Sequence, residues 1–430
     1  MNAVQFVSLL VILMCQSLTM DVNAFVIPSL YSSSSLIVTG SATHTHTNTA
    51  ASNSDNRFSS KLSMSSTSNN IISTPINGKK KIIAVTGATG RTGRLVVSQL
   101  LEQYPNYDVL ALVRDEDKAK TIFNVNDANL QIVKCDLMNS NQVTKILSQN
   151  NCMQVIWCST GFSSNPNQSI VTRVSTVMNA LLDKEGKNSL DSVGLTNLAK
   201  AFMTNNQVVD VVGPNIIMLS SAGVTRPSWS ESKKQRFEGC ADIPIVRLNP
   251  FNILNIKANS EEKLRTILSS SDDNNNSGIS YTIVRPTGLK DGNDWPCGQN
   301  ARPIVSQGDV AVGRIHRLDV ANVLLQCMEC EDAKSKTFEV FSIAGYQPNE
   351  AGLSPLLKNL KDDGNKILLE NEDVLEGTYL AMQQLLPGEK QDASALAMGQ
   401  TYEELDADKV GRLGVKGEEK ITDTNLRTTS

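Results

Sequence analysis

The segment Thr86-Gly87-Ala88-Thr89-Gly90-Arg91-Thr92-Gly93 spaces three glycines three residues apart, between the apolar run IIAV at 82–85 and the helically periodic RLVVSQLLEQ. In a strand–turn–helix the first glycine permits the tight turn. The second lets backbone N–H groups approach a pyrophosphate, and the third lets the helix pack close to the strand. The helix N-terminus then presents its partial positive charge to the anion. Gly87, Ala88, Thr89, Gly90, Arg91, Thr92 and Gly93 are therefore candidate ligands of a dinucleotide. Glycine turns without a ligand are common, so the weight of this reading rests on what surrounds it.

The next apolar run, DVLALVRD at 108–115, should form the second strand, and its end decides which dinucleotide fits. A site selecting NAD places a carboxylate there for the ribose hydroxyls. This chain has Arg114, with Arg91 available in the glycine loop, and two guanidiniums can chelate a 2′-phosphate. NADP(H) is expected. Asp115, next door, is the residue that would restore NAD(H), with Arg114 then a solvated strand end.

Positioning these groups takes a sheet. After the helix come strand-like runs at 129–139, 154–162, 216–223 and 279–289, alternating with helical segments. That order predicts an α/β fold with a Rossmann-like, doubly wound parallel sheet spanning residues 79–344. Two stretches, 163–189 and 224–251, follow the carboxyl ends of strands, where open α/β sheets bind ligands, and should shape the substrate side. Trp229, Phe237 and Phe251 could stack on a flat substrate there or pin the loop to the core. The extension at 345–430 carries nine basic and sixteen acidic residues beyond Gly345, net −7, with helical patches at 374–386 and 394–413. It is expected to be partly helical, then disordered, and could pack on the domain or contact a protein complex.

Ahead of this domain, residues 4–14 form an apolar run too short to span a bilayer, followed by the cleavage-like Val22-Asn23-Ala24. Residues 1–24 read as a signal peptide and 25–78, rich in Ser, Thr and Asn, as a disordered transit segment. The pair resembles the bipartite presequence of algae with secondary plastids, with plain secretion the alternative. Seven cysteines beyond Cys15, scattered and odd in number, suit a reduced stroma better than a disulfide framework. Without residues 1–78 the net charge stays −4, which argues against nucleic acid as a main partner. No later apolar run approaches a transmembrane length.

The motifs TGATGRTG at 86–93, LVRD at 112–115, CDL at 135–137, DSVGLTNLAKAF at 191–202, SSAG at 220–223, YTIVRPTGL at 281–289 and IHRLDVANVLLQC at 315–327 jointly resemble the atypical short-chain dehydrogenase/reductases, in the NAD(P)-binding branch with biliverdin reductase B-like members. The resemblance implies that Asp136 and Leu137 line an adenine pocket, that Ser159, Thr160 and Gly161 flank the cofactor, and that Ser220 and Ser221 lie near the nicotinamide. It also implies that Pro286, Thr287, Gly288 and Leu289 close over that end. The family's catalytic pair is Tyr-x-x-x-Lys, the tyrosine acting as acid or base. Lys257 stands at the lysine position, as a ribose ligand or a solvated helix lysine, but Ile253 occupies the tyrosine position. No tyrosine occurs between Tyr107 and Tyr281, so no shift of spacing restores the pair. The remaining expectations are hydride transfer to an acceptor needing no protein acid (a flavin, quinone or tetrapyrrole), a different acid, or a cofactor-sensing scaffold. Ser220 and Ser221 either orient substrate or simply end a strand.

Other chemistry has little material. Three histidines, two of them in the presequence, leave no histidine metal site or Ser-His-Asp triad to build, and no metal is expected. His316 is expected to be structural, and Asp319 a helix cap rather than a catalyst. Cys327-Met-Glu-Cys330 has redox spacing but falls late in a helix, where thiolates gain no stabilisation. Cys297 could be an exposed loop thiol.

Overall fold

The computed structural model describes residues 80–161, 186–204, 211–241, 243–249, 252–269, 279–293, 295–364 and 371–385. The signal and transit segments, most of the 163–189 stretch, Phe251 and the helical patch at 394–413 lie outside the described residues.

In chain order the strands are β1 (Lys81–Thr86), β2 (Tyr107–Val113), β3 (Leu130–Lys134), β4 (Gln154–Trp157), β5 (Ile216–Leu219), β6 (Tyr281–Pro286), β7 (Gly288–Lys290), β8 (Ala301–Ser306), β9 (Arg314–His316) and β10 (Lys336–Ala344). The main helices are α1 (Arg91–Gln103), α2 (Glu116–Ile122), α3 (Ser140–Gln149), α4 (Leu195–Thr204), α5 (Glu231–Arg236), α6 (Pro244–Leu248), α7 (Ile253–Ser269), α8 (Arg317–Met328), α9 (Ser354–Lys358) and α10 (Glu372–Leu385). A π-helical turn, Leu190–Gly194, leads into α4.

Eight strands form one sheet in the order β3-β2-β1-β4-β5-β6-β10-β8, parallel throughout except that β8 runs antiparallel to β10. The order reverses at β1, the topological switch point of a doubly wound sheet. The fold is the expected Rossmann-like α/β class with one added feature. The run read from sequence as a single strand at 279–289 breaks after Pro286, and β7 leaves the sheet to pair with β9 in a separate parallel two-stranded ladder. Proline ends the main ladder because it has no N–H to donate.

Strands buried on both faces give two cores. On one face α1 and α8 bury Val96, Val97, Leu100, Val320, Leu324 and Cys327. On the other, the helices α3, α4 and α7 bury Val143, Leu147, Leu198, Phe202 and Leu264. Residues of the C-terminal extension join this architecture: Leu353 and Leu357 enter the first core, and Leu375, Tyr379 and Met382 of α10 pack with Trp229, Phe237, Val310 and Phe341 in a third cluster.

Candidate functional site at the carboxyl edge

Because β1 to β6 are parallel, the segments that follow them open on one edge of the sheet. The glycine turn after β1 is specified by close backbone contact. Gly87 has φ +62°, and a Cβ on it would lie 2.8 Å from the Cys158 carbonyl oxygen. A Cβ on Gly93 would lie 2.2 Å from the Gly87 carbonyl oxygen, so α1 can approach the turn only as glycine. Gly90 differs: its Cβ would meet only the Gly87 oxygen, at 3.0 Å, and otherwise point into open space. Gly90 is also the N-cap of α1, which has no side-chain cap and no acid in its first turn. By contrast Asp115, Asn139 and His316 cap α2, α3 and α8. An uncapped first turn leaves its N–H groups available to an external anion.

At the end of β2, Arg114 is exposed. Asp115 is committed elsewhere, its Oδ1 accepting from Lys118 N at 3.0 Å as the cap of α2. After β3, Asp136 is exposed and folds back locally, Oδ1 accepting from Met138 N at 3.0 Å, while Leu137 is buried against the second core. After β4, Ser159 is buried, and Thr160 and Gly161 both turn to a residue that the sequence motif contained but that carried no role: Asp191.

Asp191 sits in the π-helical turn with no solvent exposure. Its Oδ2 accepts from Gly161 N at 2.8 Å and from Thr160 Oγ1 at 3.4 Å, and its Oδ1 pairs with Lys257 Nζ at 3.3 Å. Lys257 is thus neither solvated nor free, its side chain being 11% exposed. Three elements at the carboxyl edge meet on this one carboxylate: the loop after β4, the turn before α4 and the first turns of α7. A lone acid opening an otherwise apolar helix was the available signal for it. Ile253, four residues before Lys257, is the first residue of α7 and carries no proton to donate.

Ser220, after β5, is also held from below. Its Oγ donates to Glu261 Oε1 at 2.6 Å. Glu261 is fully buried in α7 and accepts from Arg285 through both oxygens, at 3.0 and 2.5 Å, and from Arg265 Nη2 at 3.0 Å. Burial alone would raise the Glu261 carboxyl, but the two guanidiniums outweigh it and hold it below the ordinary value, so it is an ionised acceptor. Ser221 Oγ donates to the Ala222 carbonyl at 3.1 Å.

Pro286 ends β6, Thr287 N donates to the Val340 carbonyl at 3.0 Å and Gly288 N to the Gly313 carbonyl at 2.9 Å, while Leu289 pairs with Ile315. This segment is therefore stiffened by the β7–β9 ladder beside the edge. Just beyond it, Asp291 receives Arg317 Nη1 and, at 3.5 Å, Arg91 Nη1. Arg91 thus points to Asp291 in the structure. Asp319 does not cap α8: His316 Nδ1 accepts from Leu318 N at 3.1 Å, and Asp319 Oδ1 instead accepts from Gly298 N at 2.8 Å, fixing the Cys297 loop. Burial pushes the Asp319 carboxyl up to about 6.

The aromatic pair of the 224–251 stretch serves packing. Trp229 and Phe237 are 7% and 0% exposed, and Phe237 makes edge contacts with both Trp229 and Tyr379 of α10. Cys327 and Cys330 are unbonded and buried, and burial raises the Cys327 thiol, which suits packing rather than redox exchange. Cys297 is half-buried, its thiol raised by burial and by Asp319. Among the described residues no cluster of His, Cys, Asp or Glu could hold a metal ion.

Comparison with known proteins decides the family. Residues 87–331 match the model of the NAD(P)H-binding family. The chain belongs to it. That bears out the resemblance to the atypical short-chain dehydrogenase/reductases. The chain is 30% identical over 268 residues to an uncharacterized, chloroplastic protein of Arabidopsis thaliana, covering 62% of this chain and 78% of that one. Among solved structures it is similar to an oxidoreductase of Lactococcus lactis (16% identity, 65% of this chain and 97% of that chain, TM-score 0.41). It is also similar to a short-chain dehydrogenase/reductase of Veillonella parvula in complex with NADP (15% identity, 63% and 99%, TM-score 0.40). The NAD(P)H-binding assignment fits the geometry at the glycine turn, where Gly90 leaves space and the uncapped α1 leaves donors.

Proposed function

We propose that this NAD(P)H-binding protein is a plastid oxidoreductase that uses NADPH and passes hydride to an acceptor requiring no tyrosine from the protein. The observation that carries the cofactor choice is the pair at the end of β2: Arg114 is exposed, whereas Asp115 is occupied as the cap of α2. An exposed guanidinium beside a carboxylate that already serves as a helix cap favours a 2′-phosphate over bare ribose hydroxyls. The nicotinamide, when bound, supplies the hydride. The protein's own residues bind and orient: Lys257, steadied by Asp191, takes the ribose side, and Ser220 and Ser221 border the acceptor.

The missing tyrosine narrows the acceptor. Ile253 cannot deliver a proton, and the hydrogens of Ser220 and Ser221 are given to Glu261 and to the Ala222 carbonyl. A flavin, quinone or tetrapyrrole, which can take its proton from solvent after reduction, suits such a site better than a simple ketone. The plastid location is supported by the composition of residues 1–78 and by the chloroplastic relative. The same committed hydroxyls favour a second reading, a non-catalytic NADP(H)-sensing scaffold that assembles with a plastid complex.

The test is NADPH oxidation by the full chain with flavin and quinone acceptors, beside Ile253→Tyr. Acceptor-dependent oxidation by the unchanged protein supports the oxidoreductase. Tight NADPH binding with no turnover, whichever acceptor is offered, replaces it with the sensing scaffold.

A further inference from the structure

Arg91 and Arg114 could share one phosphate only if both guanidiniums reached it, and the ion pair of Arg91 leads elsewhere. Its Nη1 lies 3.5 Å from Asp291 Oδ2, the oxygen that also receives Arg317. The Arg317 side chain is 9% exposed, and a buried guanidinium needs a counter-charge, so Asp291 is held by a partner that cannot release it cheaply. The neighbouring backbone is fixed as well. His316 Nδ1 accepts from Leu318 N, which leaves the hydrogen of the neutral ring on Nε2, 3.2 Å from the Gly292 carbonyl that accepts it. Asp291 is therefore a fixed anchor. Arg91, with 61% of its side chain exposed, is the partner drawn to it.

The direction of that pull matters. β2, which Arg114 follows, lies next to β1 on one side, while β6, from which the chain runs on through β7 to Asp291, lies three strands away on the other. Arg91 is thus drawn towards the β4–β6 side, away from Arg114. Two guanidiniums against one carboxylate leave one net positive charge beside the uncapped first turn of α1. A pyrophosphate crossing that turn meets the charge, and a 2′-phosphate on the β2 side does not.

We infer that Arg91, braced by Asp291 and Arg317, is a clasp for the pyrophosphate of the dinucleotide, leaving Arg114 alone to select the 2′-phosphate. This deepens the NADP(H) reading and rests on it. The experiment is titration of NADPH and NADH into the full chain, unchanged and as Arg91→Met, Asp291→Asn and Arg114→Met. Both dinucleotides share the pyrophosphate, so Arg91→Met should weaken both by the same factor, about ten-fold, and leave their ratio unchanged. Asp291→Asn, which removes the brace and raises the local positive charge, should shift both by one common factor, and Arg114→Met should abolish the ratio. Arg91→Met alone decides the matter should Asp291→Asn lower the melting temperature by stranding Arg317. Loss confined to NADPH in Arg91→Met, or no loss at all, overturns the clasp while the NADP(H) reading stands. Failure of the unchanged protein to bind either dinucleotide overturns both.

Discussion

The two halves of the sheet are held together by different physics. Around β1 to β4 the structure is backbone against backbone: Gly93 admits α1 onto the Gly87 carbonyl, and Gly87 lies against Cys158. Around β6, β10 and β8 it is buried charge. Glu261, fully buried, sits between Arg285 and Arg265, and Arg265 reaches Asp363 of the extension at 3.0 Å. Asp363 in turn accepts from Tyr281 OH at 3.0 Å and from Thr337 N at 2.8 Å, tying the extension to β6 and β10. A second buried pair, Arg226 and Asp309, fixes the loop after β5, with Asp309 accepting from Gly223 N at 2.6 Å and Thr225 N at 2.8 Å. What distinguishes the second half is buried charge and the C-terminal extension, which reaches it through Asp363 and Tyr379.

The sharpest way to break this contrast is Glu261→Ala. It leaves Arg285 buried without its main partner and should cost about 3–5 kcal/mol in urea unfolding. Next comes Leu375→Ala in α10, which should cost about 2–4 kcal/mol, because Leu375 is 2% exposed against Gly308 and the third cluster. A loss below about 0.5 kcal/mol there would mean that α10 is not part of the folded unit.

A smaller effect depends on pH. Glu339, in β10 opposite Arg285, is fully buried with no hydrogen-bond partner on either oxygen, and burial and Asp309 push its carboxyl up to about 8. The folded state therefore keeps a proton that the unfolded chain releases near the ordinary carboxylate value. The stability this contributes is complete below that value and is lost as pH rises through about 8. Thermal unfolding of Glu339→Gln between pH 5 and about 9 should flatten that decline by a few kcal/mol at most. An identical pH profile in the variant would show that Glu339 is ionised in the folded state throughout.

The contrast also explains what could be read from the sequence. The glycine turn, the strand–helix alternation and the absent tyrosine are local patterns, and the structure places them as the spacing implied. Asp191 and Asp291 were opaque, because each acquires its role from partners far along the chain: Lys257 for one, Arg91 for the other. The Trp229–Phe237 pair could stack on a ligand or pack a core, and Tyr379 of the extension decides for packing. Asp319 looked like a helix cap by position, but His316 performs that task, and only the fold reveals that Asp319 faces the Cys297 loop.

Whether the turn before α1 cradles a dinucleotide is decided by NADPH titration of full-length Gly90→Val. The valine would fill the space that the Gly90 backbone leaves open while meeting little else of the protein. NADPH binding should be lost while the melting temperature stays within a few degrees of the unchanged protein. Unaltered NADPH affinity in Gly90→Val would mean that the turn holds no dinucleotide.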